Sequence, residues 1–181
     1  MSLEVIKPSN KNNLDIKIKK LTESNISIIT KSFEPFYAKP ATIFEEYLKE
    51  QEAGERIIWF AFIDDIFAGY ITLKWSSNYK PFADQNIPEI MDLNVLPPSR
   101  GQGIASKILE IAENTAARKS DIVGLGVGLY ADYGSAQRLY IKRGYIPNGR
   151  GVTYNYESVK PGSHLCLDDD LVLWFTKKIN A

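Results

Sequence analysis

The chain has 181 residues, about the length of one ordinary domain, and 44% of them are hydrophobic, 12% aromatic and 24% charged. This balance is typical of a globular protein that folds around an apolar core, and it excludes the disordered, collagen-like and disulfide-framework classes. Because 22 Lys and Arg residues cancel 22 Asp and Glu residues, no general positive field exists to attract nucleic acid. We therefore expect a single domain over residues 1–181 without a nucleic-acid partner.

The cysteine content and the apolar runs indicate the cellular compartment of the protein. Cys166 is the only cysteine, so no internal disulfide forms, and no cluster of Cys and His is present to hold zinc. The longest apolar runs, such as residues 57–63, are far shorter than the roughly 20 residues of a membrane span, and the first residues lack a signal-peptide pattern. The three adjacent carboxylates at residues 168–170 are interpreted as charged gatekeepers of the following strand rather than as metal ligands. A cytoplasmic protein with no metal and no membrane contact is expected.

Hydrophobic patterns predict the elements of the first half of the chain. Residues 1–13 are polar and aperiodic, which indicates a loose arm. Residues 15–19 alternate apolar and charged side chains, as a half-buried strand does, and residues 22–25 then supply helix-capping side chains. The next predicted elements are a helix over residues 41–53 and a β-hairpin of residues 57–63 and 66–75.

Strands and helices alternate in the second half of the chain. The predicted order is a loop over residues 76–88, a strand over 89–96, a helix over 101–119, a strand over 122–129, a helix over 135–143, a strand from 145, a long irregular connection over 149–161 and a last strand over 171–177. This order predicts an α/β fold, with a mixed central sheet and helices on both faces. Ligand sites are commonly built where such a strand leads into a helix through a short loop.

Two glycines mark the start of the helix that follows residue 100, in the run Arg-Gly-Gln-Gly-Ile-Ala. Since Gly101 and Gly103 have no side chains, the unpaired N–H groups of the first helical turn can approach a ligand closely, with the positive end of the helix dipole behind them. Such a turn binds an anion, most naturally a phosphate, or it serves only as a tight turn. No Gly-Lys-Ser/Thr follows, so the run is not a Walker A loop.

The same run resembles the acetyl-CoA-binding motif, Arg/Gln-x-x-Gly-x-Gly/Ala, of the GNAT superfamily of N-acetyltransferases. The resemblance implies a mixed, mostly antiparallel central sheet of about six to seven strands with helices on both faces. In that family the amides of the helix start bind the pyrophosphate of coenzyme A, and the preceding strand pairs with the pantetheine arm. The residues that the resemblance assigns to binding acetyl-CoA here are Leu93, Asn94, Val95, Arg100, Gly101, Gln102, Gly103, Ile104, Ala105 and Ser106.

Glycine also recurs at every second position in the predicted strand of residues 122–129. Gly124, Gly126 and Gly128 leave one face of this strand bare, while Val and Leu occupy the other face. In the family that the motif resembles, the cofactor arm enters between this strand and the preceding one, where the two splay apart. Close packing of a helix on the bare face is the alternative.

A second motif supports the resemblance. Residues 136–145 are similar to the family pattern Asn-x-x-Ala-x-x-x-Tyr-x-x-x-Gly-Phe/Tyr, with Ala136, Tyr140, Gly144 and Tyr145 in register. The resemblance implies that Tyr140 is the general acid that protonates the departing thiolate. A core tyrosine with a satisfied hydroxyl is the alternative.

The second motif also adds cofactor-binding candidates. Tyr133 stands where the family often has an Asn that contacts the cofactor, so this contact is in doubt. Ala136 lies in register with the family pattern. Lys142, like Arg143, either reaches the phosphates of the cofactor or is simply solvated at a helix end.

Transfer to an amine requires a base, since an alkyl ammonium has a pKa near 10 and must lose a proton before it attacks a thioester. Glu89 and Asp92 are the nearby acids, and the strand period places Glu89 on the face of Leu93 and Val95 and Asp92 on the opposite face. Glu89, which lies where some protein-lysine members of the family have their base, is preferred; Asp92 and water are the alternatives. The family usually binds the oxyanion with a backbone N–H at the end of this strand, here that of Val95 or Leu96.

Together these features predict an enzyme that moves an acetyl group from acetyl-CoA to a primary amine of a small molecule or a peptide, by direct attack through a tetrahedral intermediate. A coenzyme A-binding or sensing module without turnover and a nucleotide-phosphate binder are the alternatives. The resemblance is also compatible with a homodimer.

The acceptor pocket of the family is shaped by the first helices and the late loops, here residues 31–54 and 149–166. Five aromatic residues in these segments are candidates to line the pocket, or else belong to the core: Phe33, Phe36, Tyr37, Tyr154 and Tyr156.

Overall fold

The computed structural model describes residues 15–36 and 39–180, so the predicted arm at residues 1–13 and the candidate Tyr37 lie outside the described residues. The strands in the described part of the chain are β1 (Ile16–Lys20), β2 (Arg56–Ile63), β3 (Ile66–Lys74), β4 (Glu89–Val95), β5 (Ile122–Gly128), β6 (Ile146–Tyr154), β7 (Glu157–Ser158) and β8 (Leu171–Lys178). The helices are α1 (Glu23–Phe33), α2 (Ala41–Glu52), α3 (Lys80–Ala83), α4 (Ile104–Ala116) and α5 (Gly134–Lys142), with short 3₁₀ turns at Pro97–Ser99 and Ala131–Tyr133.

The eight strands of the described chain form one sheet in the order β1-β2-β3-β4-β5-β8-β6-β7. β4 and β5 are parallel neighbours, and the other neighbouring strands are antiparallel. This mixed, mostly antiparallel sheet with helices confirms the predicted fold class. The sheet has one strand more than expected because β7 extends its edge.

β2 shows why helices cover both faces of the sheet. Its residues Ile58, Phe60 and Phe62 pack with apolar side chains of α1 and α2. The alternating residues Trp59 and Ala61 point the other way and pack with apolar side chains of α4 and α5. A strand that is buried on both faces has few positions for polar side chains, which is why the sequence of β2 is apolar after Arg56.

The helix predicted from residue 101 begins later than expected. Gly101 and Gly103 have φ angles of +74° and +83°, in the left-handed region that glycine adopts without strain. Residues 101–103 therefore form a turn, Gly103 is the N-cap, and α4 begins at Ile104.

The predicted loop at residues 76–88 contains regular structure. The short helix α3 forms there around Phe82, whose side chain is buried. Phe82 packs edge-on against Tyr79 and Trp174, so α3 forms a small apolar cluster over β8.

The predicted irregular connection at residues 149–161 is also wrong, because β6 continues to Tyr154 and β7 follows it directly. Asn155 and Tyr156 have φ angles of +48° and +67°, the combination that a two-residue hairpin turn of type I′ requires. The glycine-rich composition that indicated a loop instead accommodates an irregular register of β6 on β8 between Pro147 and Val152.

Candidate active site

A cleft opens where β4 and β5 separate. The two strands pair only at Glu89 with Gly124 and at Ile90 with Leu125. Beyond these pairs the strands diverge, as the family resemblance implies, and a cleft of about 1090 Å³ lies between them and the start of α4. The gap exposes backbone N–H and C=O groups that a regular sheet would pair.

The turn before α4 forms one end of this cleft, which Arg100, Gly101, Gly103 and the first helical residues line. Within the described chain, none of the backbone N–H groups of residues 101–106 donates to a backbone carbonyl. A Cβ atom placed on Gly101 or Gly103 would meet nothing within 4 Å, so the space above both residues is open. Unpaired N–H groups at a helix start, free of side chains, suit a phosphate group.

Two side chains of this run donate hydrogen bonds to backbone carbonyls of the protein. The side chain of Gln102 is exposed, does not line the cleft, and donates from Nε2 to the carbonyl of Pro98 at 3.1 Å. Arg100 donates from Nε to the carbonyl of Val95 at 3.0 Å, which ties the turn to the end of β4.

A bulge in β4 corrects the predicted facing of its side chains. Asp92 has a φ angle of +53°, and the register on β3 changes between Tyr70 and Thr72, so that β4 holds one extra residue. The alternation of side chains breaks at such a bulge. As a result Ile90 and Leu93 both pack in the core under α4. The prediction that Asp92 faces away from Glu89 is therefore wrong: both carboxylates lie on the opposite face to this core, in the same cleft.

The end of β4 also distinguishes the two predicted backbone donors. The N–H of Leu96 donates to the carbonyl of Ala68 at 2.9 Å and is therefore occupied. In an antiparallel ladder, hydrogen-bonded and non-hydrogen-bonded pairs alternate, so the next pair, Gly69 with Val95, turns the N–H of Val95 away from β3. Of the two candidates, Val95 presents its amide toward the cleft.

Glu89 is buried, yet it is one of the residues that line the cleft. Burial raises the pKa of Glu89 to about 7, although the hydrogen bond from Ser77 Oγ and the nearby Arg56 and Lys74 act to lower it. A carboxylate with a pKa near neutrality is well matched to general base catalysis at neutral pH.

Tyr140 lies on α5 and borders the same cleft, with only 7% of the residue exposed. Burial raises the pKa of its hydroxyl above the ordinary value, and the charge of Asp92 adds to this effect. The phenol therefore stays protonated at neutral pH, as a proton donor must.

A comparison with known protein families decides what this arrangement is. The model of the acetyltransferase (GNAT) family matches residues 23–145. The chain belongs to the acetyltransferase (GNAT) family. It is an acetyl-CoA-dependent N-acetyltransferase, and the matched residues include the turn before α4 as well as Glu89 and Tyr140.

Solved structures share the fold of this acetyltransferase at low sequence identity. An N-acetyltransferase from Staphylococcus aureus Mu50 is 15% identical, with a TM-score of 0.67 over 92% of this chain and 99% of that one. The protein yncA from Salmonella typhimurium, solved with acetyl-CoA, is 15% identical, with a TM-score of 0.64 over 91% and 94%. Arabidopsis thaliana Naa50, in complex with the bisubstrate analogue CoA-Ac-MVNAL, is 17% identical, with a TM-score of 0.62 over 91% and 99%. No curated protein sequence matches.

The bare face of β5 is largely covered by side chains of the acetyltransferase itself. A Cβ atom on Gly124 would lie 2.2 Å from the ring of Phe82, and one on Gly128 would lie 2.4 Å from the ring of Tyr133. Close packing, the alternative interpretation of these glycines, therefore holds for Gly124. Gly126 and Gly128 line the cleft as well.

The remaining cofactor-binding candidates divide into two groups. Tyr133 and Ala136 line the cleft, and the Tyr133 hydroxyl donates to Asp169 Oδ1 at 2.9 Å, where Tyr130 also donates. Lys142 is exposed and lies outside the cleft lining. Its neighbour Arg143 forms an ion pair with Glu113 on α4 instead of facing a phosphate site.

Two of the three carboxylates at residues 168–170, those of Asp168 and Asp169, accept hydrogen bonds from tyrosine hydroxyls. Asp168 accepts a hydrogen bond from the hydroxyl of Tyr154 at 2.9 Å. Among the residues that the structure describes, no three His, Cys, Asp or Glu side chains come together as metal ligands. No helix in that part of the chain is long and apolar enough to cross a membrane.

Of the four predicted pocket aromatics that the structure describes, one borders the cleft. Phe33, the last residue of α1, is fully buried in the core that α1 and α2 form on the sheet, and Phe36 is exposed on the surface. Tyr154 does not border the cleft, whereas Tyr156 does, since the tight turn after β6 directs it there. Lys39 also borders the cleft; its ammonium group lies 4.8 Å from the ring centroid of Tyr70, and burial lowers its pKa.

Sequence analysis missed several residues that shape this site, among them Ser77, Tyr47 and Arg56. Ser77 lies in the predicted loop over residues 76–88, where the sequence has no periodic signal. Tyr47 lies within the predicted helix over residues 41–53, and Arg56 lies one residue before the predicted strand over residues 57–63, but the partners of both are distant in the chain. A charged residue at the start of an otherwise apolar strand, as Arg56 is, was the one available signal, because a buried arginine requires partners.

Proposed function

We propose that this acetyltransferase transfers the acetyl group to a primary amine by direct attack, with Glu89 as the base, the Val95 N–H as the oxyanion donor and Tyr140 as the acid. One observation supports the proposal above others: a buried carboxylate with a pKa near 7, an unengaged strand amide and a buried, protonated phenol border the same cleft. These are the groups that aminolysis of a thioester requires.

The reaction begins when the acceptor ammonium loses a proton to Glu89, directly or through water. The neutral nitrogen attacks the acetyl carbonyl carbon, a C–N bond forms, and the negative charge that develops on oxygen is stabilised by the Val95 N–H. The C–S bond then breaks, and the departing thiolate takes a proton from the Tyr140 hydroxyl. The nitrogen gives up one of its two protons and keeps the other as the amide N–H, and the released proton restores the Tyr140 hydroxyl. Glu89 passes its proton to solvent, and the products are the amide and the free thiol of coenzyme A.

The turn at residues 101–106 is proposed to bind the pyrophosphate of acetyl-CoA, and residues 93–95 to pair with its pantetheine arm. The unpaired amides and the open space above Gly101 and Gly103 fit an anionic, closely approaching group. Tyr133 and Ala136 complete the wall on the side of α5. We propose no role in cofactor binding for the exposed side chains of Gln102 and Lys142.

The acceptor is proposed to be a small amine or a peptide amine. Glu89 and Asp92 both face the cleft and favour a group that arrives with a positive charge. The complex of Arabidopsis Naa50 with a peptide-containing bisubstrate analogue illustrates that this fold accommodates a peptide. The contribution of Tyr156 to the wall would add a flat apolar surface beside the amine.

Release of free thiol from acetyl-CoA, measured over a panel of small and peptide amines, tests the proposal. With an acceptor found, we expect Tyr140→Phe to lower kcat at least about tenfold, since general acids contribute on the order of 10²-fold or more. Cofactor binding, followed by calorimetry, should stay nearly unchanged because the phenol ring remains. Tyr154→Phe is the matched control, since it removes a tyrosine hydroxyl outside the cleft.

Two results would contradict the proposal. An unaltered rate in Tyr140→Phe would remove Tyr140 as the acid. Binding of acetyl-CoA without thiol release for any amine would instead favour a coenzyme A-binding module of the same fold.

A further inference from the structure

The bulge in β4 places a residue with a side chain where glycine would be expected. Asp92 has a φ angle of +53°, in the left-handed region that residues other than glycine seldom adopt, although Asp and Asn do so more readily than most. Such a conformation persists only where the surrounding structure holds it. The contacts of the Asp92 side chain are therefore the place to look for what stabilises the bulge.

Three elements converge on the Asp92 carboxylate. The Tyr47 hydroxyl on α2 donates to Asp92 Oδ2 at 2.7 Å, the shortest of these contacts. Thr72 Oγ1 on β3 and a guanidinium nitrogen of Arg56 on β2 lie 3.5 and 3.7 Å from the same oxygen. The bulge is thus attached by its side chain to α2, β2 and β3.

The partners of Asp92 are themselves fixed. Arg56 is only 4% exposed, and its guanidinium lies 4.2 Å from the ring centroid of Tyr47. It donates to Thr72 Oγ1 at 2.8 Å and forms an ion pair with Glu50 on α2. Tyr47 is consequently held between a buried cation on its ring face and a carboxylate at its hydroxyl.

The bulge determines the direction in which the N–H of Val95 points. On the near side of the bulge Thr72 pairs with Met91. If the ladder continued from that pair without the extra residue, Val95 would stand opposite Ala68 and would donate to its carbonyl, as Leu96 does now. The extra residue at Asp92 moves this hydrogen bond to Leu96 and leaves the Val95 N–H turned toward the cleft.

We propose that Tyr47 is a positioning residue for acetyl transfer: its hydroxyl holds Asp92 in the bulge and thereby keeps the Val95 N–H directed at the oxyanion. This inference rests on the proposed function of the cleft. Tyr47 acts through Asp92 and Val95 and does not itself react.

Tyr47→Phe tests the proposal because it removes the hydroxyl and keeps the ring against Arg56. We expect kcat to fall about tenfold, a part of the 10²–10³-fold that loss of an oxyanion donor costs, with the KM for acetyl-CoA unchanged. A change in kcat alone separates positioning from a general loss of structure, which melting temperatures monitor. Tyr154→Phe, which removes a hydroxyl donated to Asp168 outside the cleft, is the matched control with unchanged kcat.

Substitutions of Asp92 provide a second, independent readout. Asn accepts a hydrogen bond from Tyr47 and tolerates the left-handed conformation, whereas Ala does neither. We therefore expect Asp92→Asn to retain several-fold more kcat than Asp92→Ala. Equal losses in both variants would mean that the charge of Asp92 acts chemically and would overturn the positioning role.

An unchanged kcat in Tyr47→Phe would also overturn the inference. If this happens in an enzyme that otherwise turns over, the proposed function stands and only the role of Tyr47 is lost. Absence of thiol release from the wild type would remove the proposed function itself.

Discussion

At the scale of single residues, opposing contacts set the protonation of Glu89. Removal from water favours the neutral acid, while the hydrogen bond from Ser77 and the positive charges of Arg56 and Lys74 favour the carboxylate. The balance leaves the pKa at about 7. Near neutral pH the candidate base is therefore divided between its two protonation states.

The acid limb of kcat/KM is expected to reflect Glu89, with activity rising as the pH increases through about 7. Ser77→Ala removes the hydrogen bond that lowers this pKa, so the limb should move to higher pH. The measurement is kcat/KM against pH for both proteins. Ser120→Ala, which removes a hydroxyl that contacts Ile122 outside the cleft, is the control and should not move the limb. A limb that stays in place in Ser77→Ala would indicate a different base.

At the scale of elements, the turn before α4 joins a conformational requirement to a binding function. Gly101 and Gly103 both adopt left-handed backbone conformations, and the space beside each is open. Any side chain at these positions strains the turn and also enters the proposed phosphate site. Backbone strain and obstruction of the phosphate site can be separated, because Gly54 has a left-handed conformation but does not line the cleft.

Gly103→Ala and Gly54→Ala form a matched pair. Gly54 lies just beyond α2 with a φ angle of +75°, and a Cβ there would also meet nothing within 4 Å. Both substitutions should lower the free energy of unfolding by about 1 kcal/mol or somewhat more. Only Gly103→Ala is expected to raise the KM for acetyl-CoA, about tenfold, because its methyl group enters the cleft. Equal KM values in steady-state kinetics would argue against phosphate binding at this turn.

Prediction of elements from the sequence worked where the signal was local. The alternation in β1, the apolar run of β2 and the apolar stripe of α4 each depend on residues within one element. The bulge at Asp92 depends instead on Tyr47 and Arg56, which belong to other elements. No local pattern marks it, so the period-two rule assigned Asp92 to the wrong face.

At the scale of the whole molecule, the parallel contact between β4 and β5 joins the two parts of the sheet through only two residue pairs. Beyond these two pairs the strands separate, and the cleft lies in the gap between them. A ligand that spans this gap would replace the missing strand pairing and tie the two parts together.

Acetyl-CoA is therefore expected to raise the melting temperature, by the equivalent of about 2.7 kcal/mol at a concentration of 100 times its Kd. Hydrogen exchange should slow at residues 93–95 and 101–106 and stay unchanged in β1, which lies at the far edge of the sheet. ATP is the control and should give neither effect. Equal protection by ATP would favour a nucleotide-phosphate binder over the assigned cosubstrate.

The sequence by itself determined the turn before α4, which is the proposed phosphate site, because the glycines and free amides of residues 101–106 lie in one short segment whose conformation follows from its own residues. It also indicated Tyr140 and Glu89 as candidates. Only the tertiary structure decided which strand amide faces the cleft and that Asp92 shares the face of Glu89. Both depend on one extra residue in β4, and this residue is held in place by contacts from α2, β2 and β3.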